Sequence, residues 1–118
     1  MSKLPLALEF CRVLSIVAFF WYGFQCLFLE RMAREFERFG LEPFRRTVGA
    51  LEMIGAVGLV LSYKEPALGI AAAMGLGVLM FAGSVVRMRI QDTLVQSLPA
   101  MIFMLINFYL GYGIMRQS

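Results

Sequence analysis

Arg46–Leu61, RTVGALEMIGAVGLVL, is almost entirely apolar and rich in glycine, as a lipid-embedded helix is, yet it carries Glu52 near its start. A charged residue at the centre of a membrane helix costs about 2.5–3.5 kcal/mol on insertion scales, so it normally faces the bundle and finds a partner. Gly49, Gly55 and Ala56 flank Glu52 on its own face at helical spacing. They leave room there for a neighbouring helix or a small ligand.

Outward from this stretch the chain stays apolar. Sixty per cent of its 118 residues are apolar and 16% are charged. A soluble domain of this size leaves about 40% of its chain surface exposed, too much for such a composition. Four stretches reach the roughly 17–25 residues that cross a bilayer: Leu6–Leu29, Thr47–Tyr63, Pro66–Val86 and Leu94–Met115. The expected fold is all-α, a single-domain membrane four-helix up-and-down bundle over residues 1–118. A cleavable signal peptide is the rival reading of the first stretch. Glu9 and Arg12 interrupt its apolar run and no small-residue cleavage site follows, so it is read as a retained helix.

The connections carry their own signals. Met32, Phe36 and Phe39 recur at i, i+4 and i+7 among arginines and glutamates, which predicts a short amphipathic helical segment after helix one. Gly40 suits a left-handed cap at its end, and Pro43 suits the first turn of helix two. Ser62–Pro66 is a tight turn, which makes helices two and three antiparallel neighbours. In helix three, Gly69, Ala73 and Gly77 lie four apart, a small-residue face that admits a close helix. That face packs inside one chain or, as a second choice, joins two copies. Pro99 is expected to kink the first half of helix four.

Up-and-down topology sorts the polar residues by depth. Glu52 lies about 7 Å below the arginine-loop end of helix two. Gln25 is one turn short of that end in helix one, Arg87 closes helix three there, and Gln96 opens helix four. Each helix therefore offers one polar residue at nearly the same level, which points to a buried cluster. Arg87 shares its face with Gly83 and Ser84, so a Glu52–Arg87 ion pair is the first expectation. The pair would either fix helix register or mark a binding or proton-relay site. A smaller polar set, Glu9, Arg12 and Asn107, lies toward the terminal side. There Glu9 and Arg12 form an i, i+3 pair read as snorkelling to the membrane surface.

Charge and composition exclude much else. Seven arginines, Arg31, Arg34, Arg38, Arg45, Arg46, Arg87 and Arg89, fall on one side, which the positive-inside rule makes cytoplasmic with both termini outside. Many of them alternate with carboxylates, so no nucleic-acid surface is read. With no histidine there is no bis-histidine haem or histidine-ligated zinc, and no metal site or catalytic constellation is assigned. Cys11 and Cys26, on one helix, are about 22 Å apart and cannot pair within the molecule.

Glu35–Phe36–Glu37–Arg38–Phe39–Gly40–Leu41, followed by Gly49-x-x-Glu52-x-x-Gly55-x-x-Gly58 and by VVRMR closing helix three, resembles the DoxX-like family of small four-helix membrane proteins. The resemblance places the family's helix-two glutamate on Glu52 and its helix-three basic position, often histidine, on Arg87. The lysine of many relatives falls on Cys26, a departure from the pattern. It implies a bacterial inner-membrane protein, and relatives are linked to membrane redox assemblies. The expected role is a non-catalytic subunit or accessory of such a complex, with the Glu52 pocket contacting a partner helix, a lipid or a quinone. The alternative is a binding protein or carrier for a small amphipathic molecule. The expected partners are the bilayer and a protein partner or second copy through small-residue faces.

Overall fold

The computed structural model describes residues 5–90 and 94–117, apart from the side chains of Arg31, Phe39, Glu42, Leu94, Val95, Gln96 and Gln117. Among the described residues five α-helices follow one another: α1 (Leu6–Phe28), α2 (Glu30–Phe39), α3 (Arg45–Leu61), α4 (Pro66–Arg89) and α5 (Leu94–Gln117). The long helices start or end within a few residues of the bounds read from the sequence, and α2 is the amphipathic segment expected after the first of them. A single extended residue, Leu29, separates α1 from α2.

The stop of α2 follows from one residue. Gly40 sits at φ 73°, where a side chain would be strained, and its N–H bonds the Glu37 carbonyl. Leu41 N–H returns to the Phe36 carbonyl at 2.8 Å. These two bonds form a Schellman cap. Pro43 lies in a 3-10 turn, Glu42–Phe44, rather than in the first turn of the next helix, which begins at Arg45. At the other end of the molecule, Pro66 opens α4, where its missing N–H goes unused.

Helix α4 packs most extensively on α5 and α1 on α3, while α3–α4 and α1–α5 contacts close the ring. The small-residue face of α4 explains the first of these. A Cβ on Gly77 would lie 2.6 Å from the Phe108 ring, and one on Gly69 would lie 2.4 Å from Ser62 Cβ and 3.1 Å from Ile114. This face seats α5 and the α3–α4 turn of its own chain, so it is not the joint between two copies. Helix α5 is continuous through Pro99.

The burial pattern is that of a lipid-solvated bundle. Phe19, Leu59, Ala73, Leu76, Leu110 and Ile114 are enclosed. Phe10, Trp21, Phe28, Phe81 and Leu105 are instead exposed, while Arg12, Gln25, Glu52 and Asn107 are buried. Helices α1, α4 and the Ser97–Arg116 part of α5 are each long and apolar enough to cross a membrane. Helix α3 has 17 residues, about 25 Å of helix, and begins with two arginines, so it is the short member of the set. The architecture is an all-α membrane-type bundle.

Candidate functional site

The site begins where two glycines meet. A Cβ on Gly23 of α1 would lie 2.8 Å from the Met53 side chain and 3.1 Å from the Gly49 carbonyl oxygen. A Cβ on Gly49 of α3 would lie 2.9 Å from Cys26 Cβ and 3.2 Å from the Gly23 carbonyl. The backbones of α1 and α3 therefore touch here, as small residues allow in lipid. One turn further along each helix stand Cys26 and Glu52, and the close approach sets them side by side. The Cys26 thiol donates to Glu52 Oε1 at 3.8 Å. Glu52 is 4% exposed, and its second oxygen, Oε2, is buried with no hydrogen-bond partner.

Beside this carboxyl lies a cavity of about 470 Å³, bounded by all five helices. That volume is within the range of small-molecule sites. Gln25 and Arg87 line it together with Glu52, so three residues of the expected polar layer share one space. The ion pair expected between Glu52 and Arg87 is not formed. Oε2 is unpartnered, and the ion pairs among the described residues are Arg12–Glu9 and Arg38–Glu35. Equal depth in the bundle places both groups on one wall without bringing their tips together. The side chain of Gln96 lies outside the described residues.

Of the two occupants expected at the glycines beside Glu52, a neighbouring helix or a small ligand, Gly49 and Gly55 admit helices. Gly49 receives α1, and a Cβ on Gly55 would lie 2.6 Å from Leu76 of α4. Neither lines the Glu52 cavity. The room comes from α4 and α5, where Ala82, Gly83 and Ala100 are small, and from α2, which closes one side with Met32, Glu35 and Phe36.

Sequence reasoning passed over Arg45. Its Nη1 donates to the carbonyls of Cys26 at 2.5 Å and Leu27 at 3.3 Å. The abrupt end of α1 leaves such carbonyls without helical partners, and a guanidinium both satisfies them and complements the negative end of the helix. Among the loop arginines, only its place at the first turn of α3 hints at this use.

The terminal-side polar set is rebuilt as well. Arg12 does not snorkel, being only 5% exposed. Its Nη2 pairs with the Glu9 carboxylate, and its Nη1 donates to Ser62 Oγ at 3.1 Å. The guanidinium carbon sits 3.6 Å from the centre of the Tyr63 ring, and the Tyr63 hydroxyl donates to Glu9 Oε1 at 2.5 Å. Ser62 and Tyr63, from the α3–α4 turn, were not among the residues read as a site. Asn107 stands apart from this cluster. Its Nδ2 donates to the Phe103 carbonyl at 2.9 Å and to Ser15 Oγ at 3.4 Å, and its Oδ1 is unpartnered. Phe19, fully buried, lies edge-on to Phe103 and to Tyr22, and Tyr22 lines the Glu52 cavity.

Among the described residues no group of three or more His, Cys, Asp or Glu side chains is placed to hold a metal ion. What the geometry offers is one acceptor oxygen at the edge of a largely apolar space.

The DoxX-like family model matches residues 10–109, which includes both Glu52 and the glycine contact that places it. The chain belongs to the DoxX-like family. The match also takes in Arg12, Ser62, Arg87 and Asn107 and starts one residue after Glu9. No curated protein and no solved structure matches the chain. Family and apolar helices together make it a small membrane protein of the DoxX-like type.

Proposed function

We propose that this DoxX-like membrane protein is a non-catalytic binding protein that holds the polar end of an amphipathic molecule in the cavity around Glu52. The observation that carries the reading is Glu52 Oε2, buried without a partner beside a cavity of about 470 Å³. A buried polar atom left unpaired costs about 1–3 kcal/mol, and a bound molecule that supplies a donor recovers part of it. In this reading all four long helices, including the short α3, cross a bacterial inner membrane. The arginine-rich connections face the cytoplasm and both termini face outside.

A second reading, an accessory subunit of a larger and redox-linked membrane complex, has its own support. Trp21 and Phe24 are stacked with ring centres 6.0 Å apart, and Phe24 and Phe28 follow at 5.1 Å. All three are exposed on α1, where they offer a firm apolar ridge to another helix. The two readings join if the bound molecule is passed to such a partner.

Gentle purification from native membranes tests both, with wild type beside Glu52→Gln and mass spectrometry of the lipids, small molecules and proteins retained. The binding reading expects an amphiphile that accompanies wild type and is depleted in the variant. Identical small-molecule content in the two preparations overturns it. A protein companion lost on Trp21→Ala but kept in Glu52→Gln supports the subunit reading.

A further inference from the structure

Helix α2 lies over one side of the Glu52 cavity, and its sequence gives it a second place to lie. Met32 and Phe36 line the cavity, and Phe36 is only 6% exposed. Arg34, Glu37 and Arg38, around the helix from them, are exposed. The apolar side of an amphipathic helix is thus spent on the cavity. In a membrane protein the same side can also be laid into the boundary between headgroups and acyl chains. Its hydrocarbon is out of water in both positions, so exchanging one for the other forfeits little hydrophobic stabilisation.

The ends of α2 suit such an exchange. Leu29, extended at φ −96° and ψ 132°, is the single residue between α1 and α2. Gly40, at φ 73°, is the break that follows α2. Arg45 of α3 holds the carbonyls of Cys26 and Leu27, which anchors the end of α1 and leaves Leu29 as the first point free to turn. Hinges are a few element-terminal positions of this kind. The Glu35–Arg38 ion pair lies within α2 and travels with it. Beneath α2, Cys26 is 1% and Glu52 4% exposed, so something has to move before a molecule from outside reaches either.

We infer that α2 is a lid. It turns about Leu29 and Gly40, carries Phe36 out of the cavity into the headgroup layer, and opens a way to Glu52 from the arginine-loop end of the bundle. The lid takes its purpose from the binding role proposed above, to which it adds the ligand's route of entry. Its opening, however, is a matter of access to Cys26 and Glu52, and is measured with no ligand present.

The test reads the labelling rate of Cys26, which lines the cavity. A Cys11→Ser background leaves it the only thiol of the full chain. The protein is placed in lipid nanodiscs and followed by intact-mass spectrometry with two reagents: a charged, membrane-impermeant methanethiosulfonate, and N-cyclohexylmaleimide, which dissolves in lipid. The parent protein is expected to react slowly with the charged reagent. Gly40→Ala puts a side chain at φ 73°, which disfavours the closed position and should raise that rate about fivefold. Phe36→Ala removes the plug and should raise it at least as much. Gly77→Ala presses on Phe108, a contact of α4 with α5, and should leave the rate unchanged. If Gly77→Ala accelerates labelling as much as the α2 variants do, Cys26 is reached by loosening of the whole bundle and the lid is overturned. It is overturned too if neither α2 variant changes the rate. Reaction with the maleimide alone has the same consequence, since entry is then sideways from lipid between the long helices. None of these outcomes touches the binding role, which is decided by what co-purifies with wild type and with Glu52→Gln. Should Phe36→Ala not fold, Gly40→Ala, at an exposed residue, still decides.

Discussion

Among the described residues, two buried charged sites are built to opposite plans. At the terminal side, Arg12 is held by the Glu9 carboxylate, Ser62 and the Tyr63 ring, and only its Nε is left unpartnered. At the arginine-loop side, Glu52 has one long bond from a thiol and an orphan oxygen beside a cavity. A closed network fixes register, tying α1 to the α3–α4 turn, and its value lies in leaving no charge uncompensated. An open one weakens the fold locally and has reason to persist only if something else fills it. Burial alone therefore does not mark a membrane charge as functional. In the proposed binding role, the mark is the unpaired lone pair beside open space.

Opposite plans predict opposite responses to mutation. Glu9→Ala removes the only carboxylate that, among the described residues, pairs with a guanidinium that is 5% exposed, so it should destabilise the fold by about 3 kcal/mol. Thermal unfolding in detergent checks this, and a change under about 1 kcal/mol would mean that the cluster is as open as the Glu52 site. Next in size is Gly49→Ala. Its Cβ would press on Cys26 Cβ at 2.9 Å and on the Gly23 backbone at 3.2 Å, and the backbone cannot swing away. A loss of about 2 kcal/mol is expected, together with altered reactivity of Cys26 toward an apolar thiol reagent as α1 and α3 part.

How much of this was legible in the sequence follows the same division. Depth was legible, because a helix rises by a fixed amount per residue. Glu52, Gln25 and Arg87 were placed at one level, and they line one cavity. The amphipathic α2 and its Gly40 cap were legible too, since both depend on neighbours in the chain. Lateral distance was not. It depends on which helices touch, so the Glu52–Arg87 pair failed and Cys26, read as a departure from the family's lysine, became the contact. Nor could an i, i+3 pair reveal that Arg12 is sealed by a tyrosine 51 residues further along the chain, the difference between positions 12 and 63. Gly55 shows the ambiguity in its plainest form. A glycine beside a carboxylate leaves room, and only the fold says that Leu76 takes it.

Glu52→Leu reverses the sign. It removes a buried, half-satisfied carboxyl and adds apolar volume beside the cavity, so the ligand-free protein should gain about 1–2 kcal/mol. Measured in detergent after delipidation, a loss of similar size would mean that the Cys26 contact stabilises the bundle more than the orphan oxygen costs. The Glu52 site would then resemble the Arg12 cluster after all.

The smallest effect comes from a pair of glycines two residues apart on α4. Gly77 faces α5, and a Cβ there would lie 2.6 Å from the Phe108 ring, whereas a Cβ on Gly75 would have nothing within 4 Å. Alanine at an exposed helix position is favoured over glycine by about 0.5–1 kcal/mol, because the unfolded chain loses less freedom. Gly75→Ala should therefore raise stability by that amount, and Gly77→Ala should lower it. If Gly75→Ala instead destabilises the protein in lipid nanodiscs but not in dilute detergent, the outer face of α4 is covered by something in the membrane. The shallow apolar groove that Gly75 shares with Leu51, Ile54 and Ala71 would then be a contact surface rather than plain lipid-facing helix.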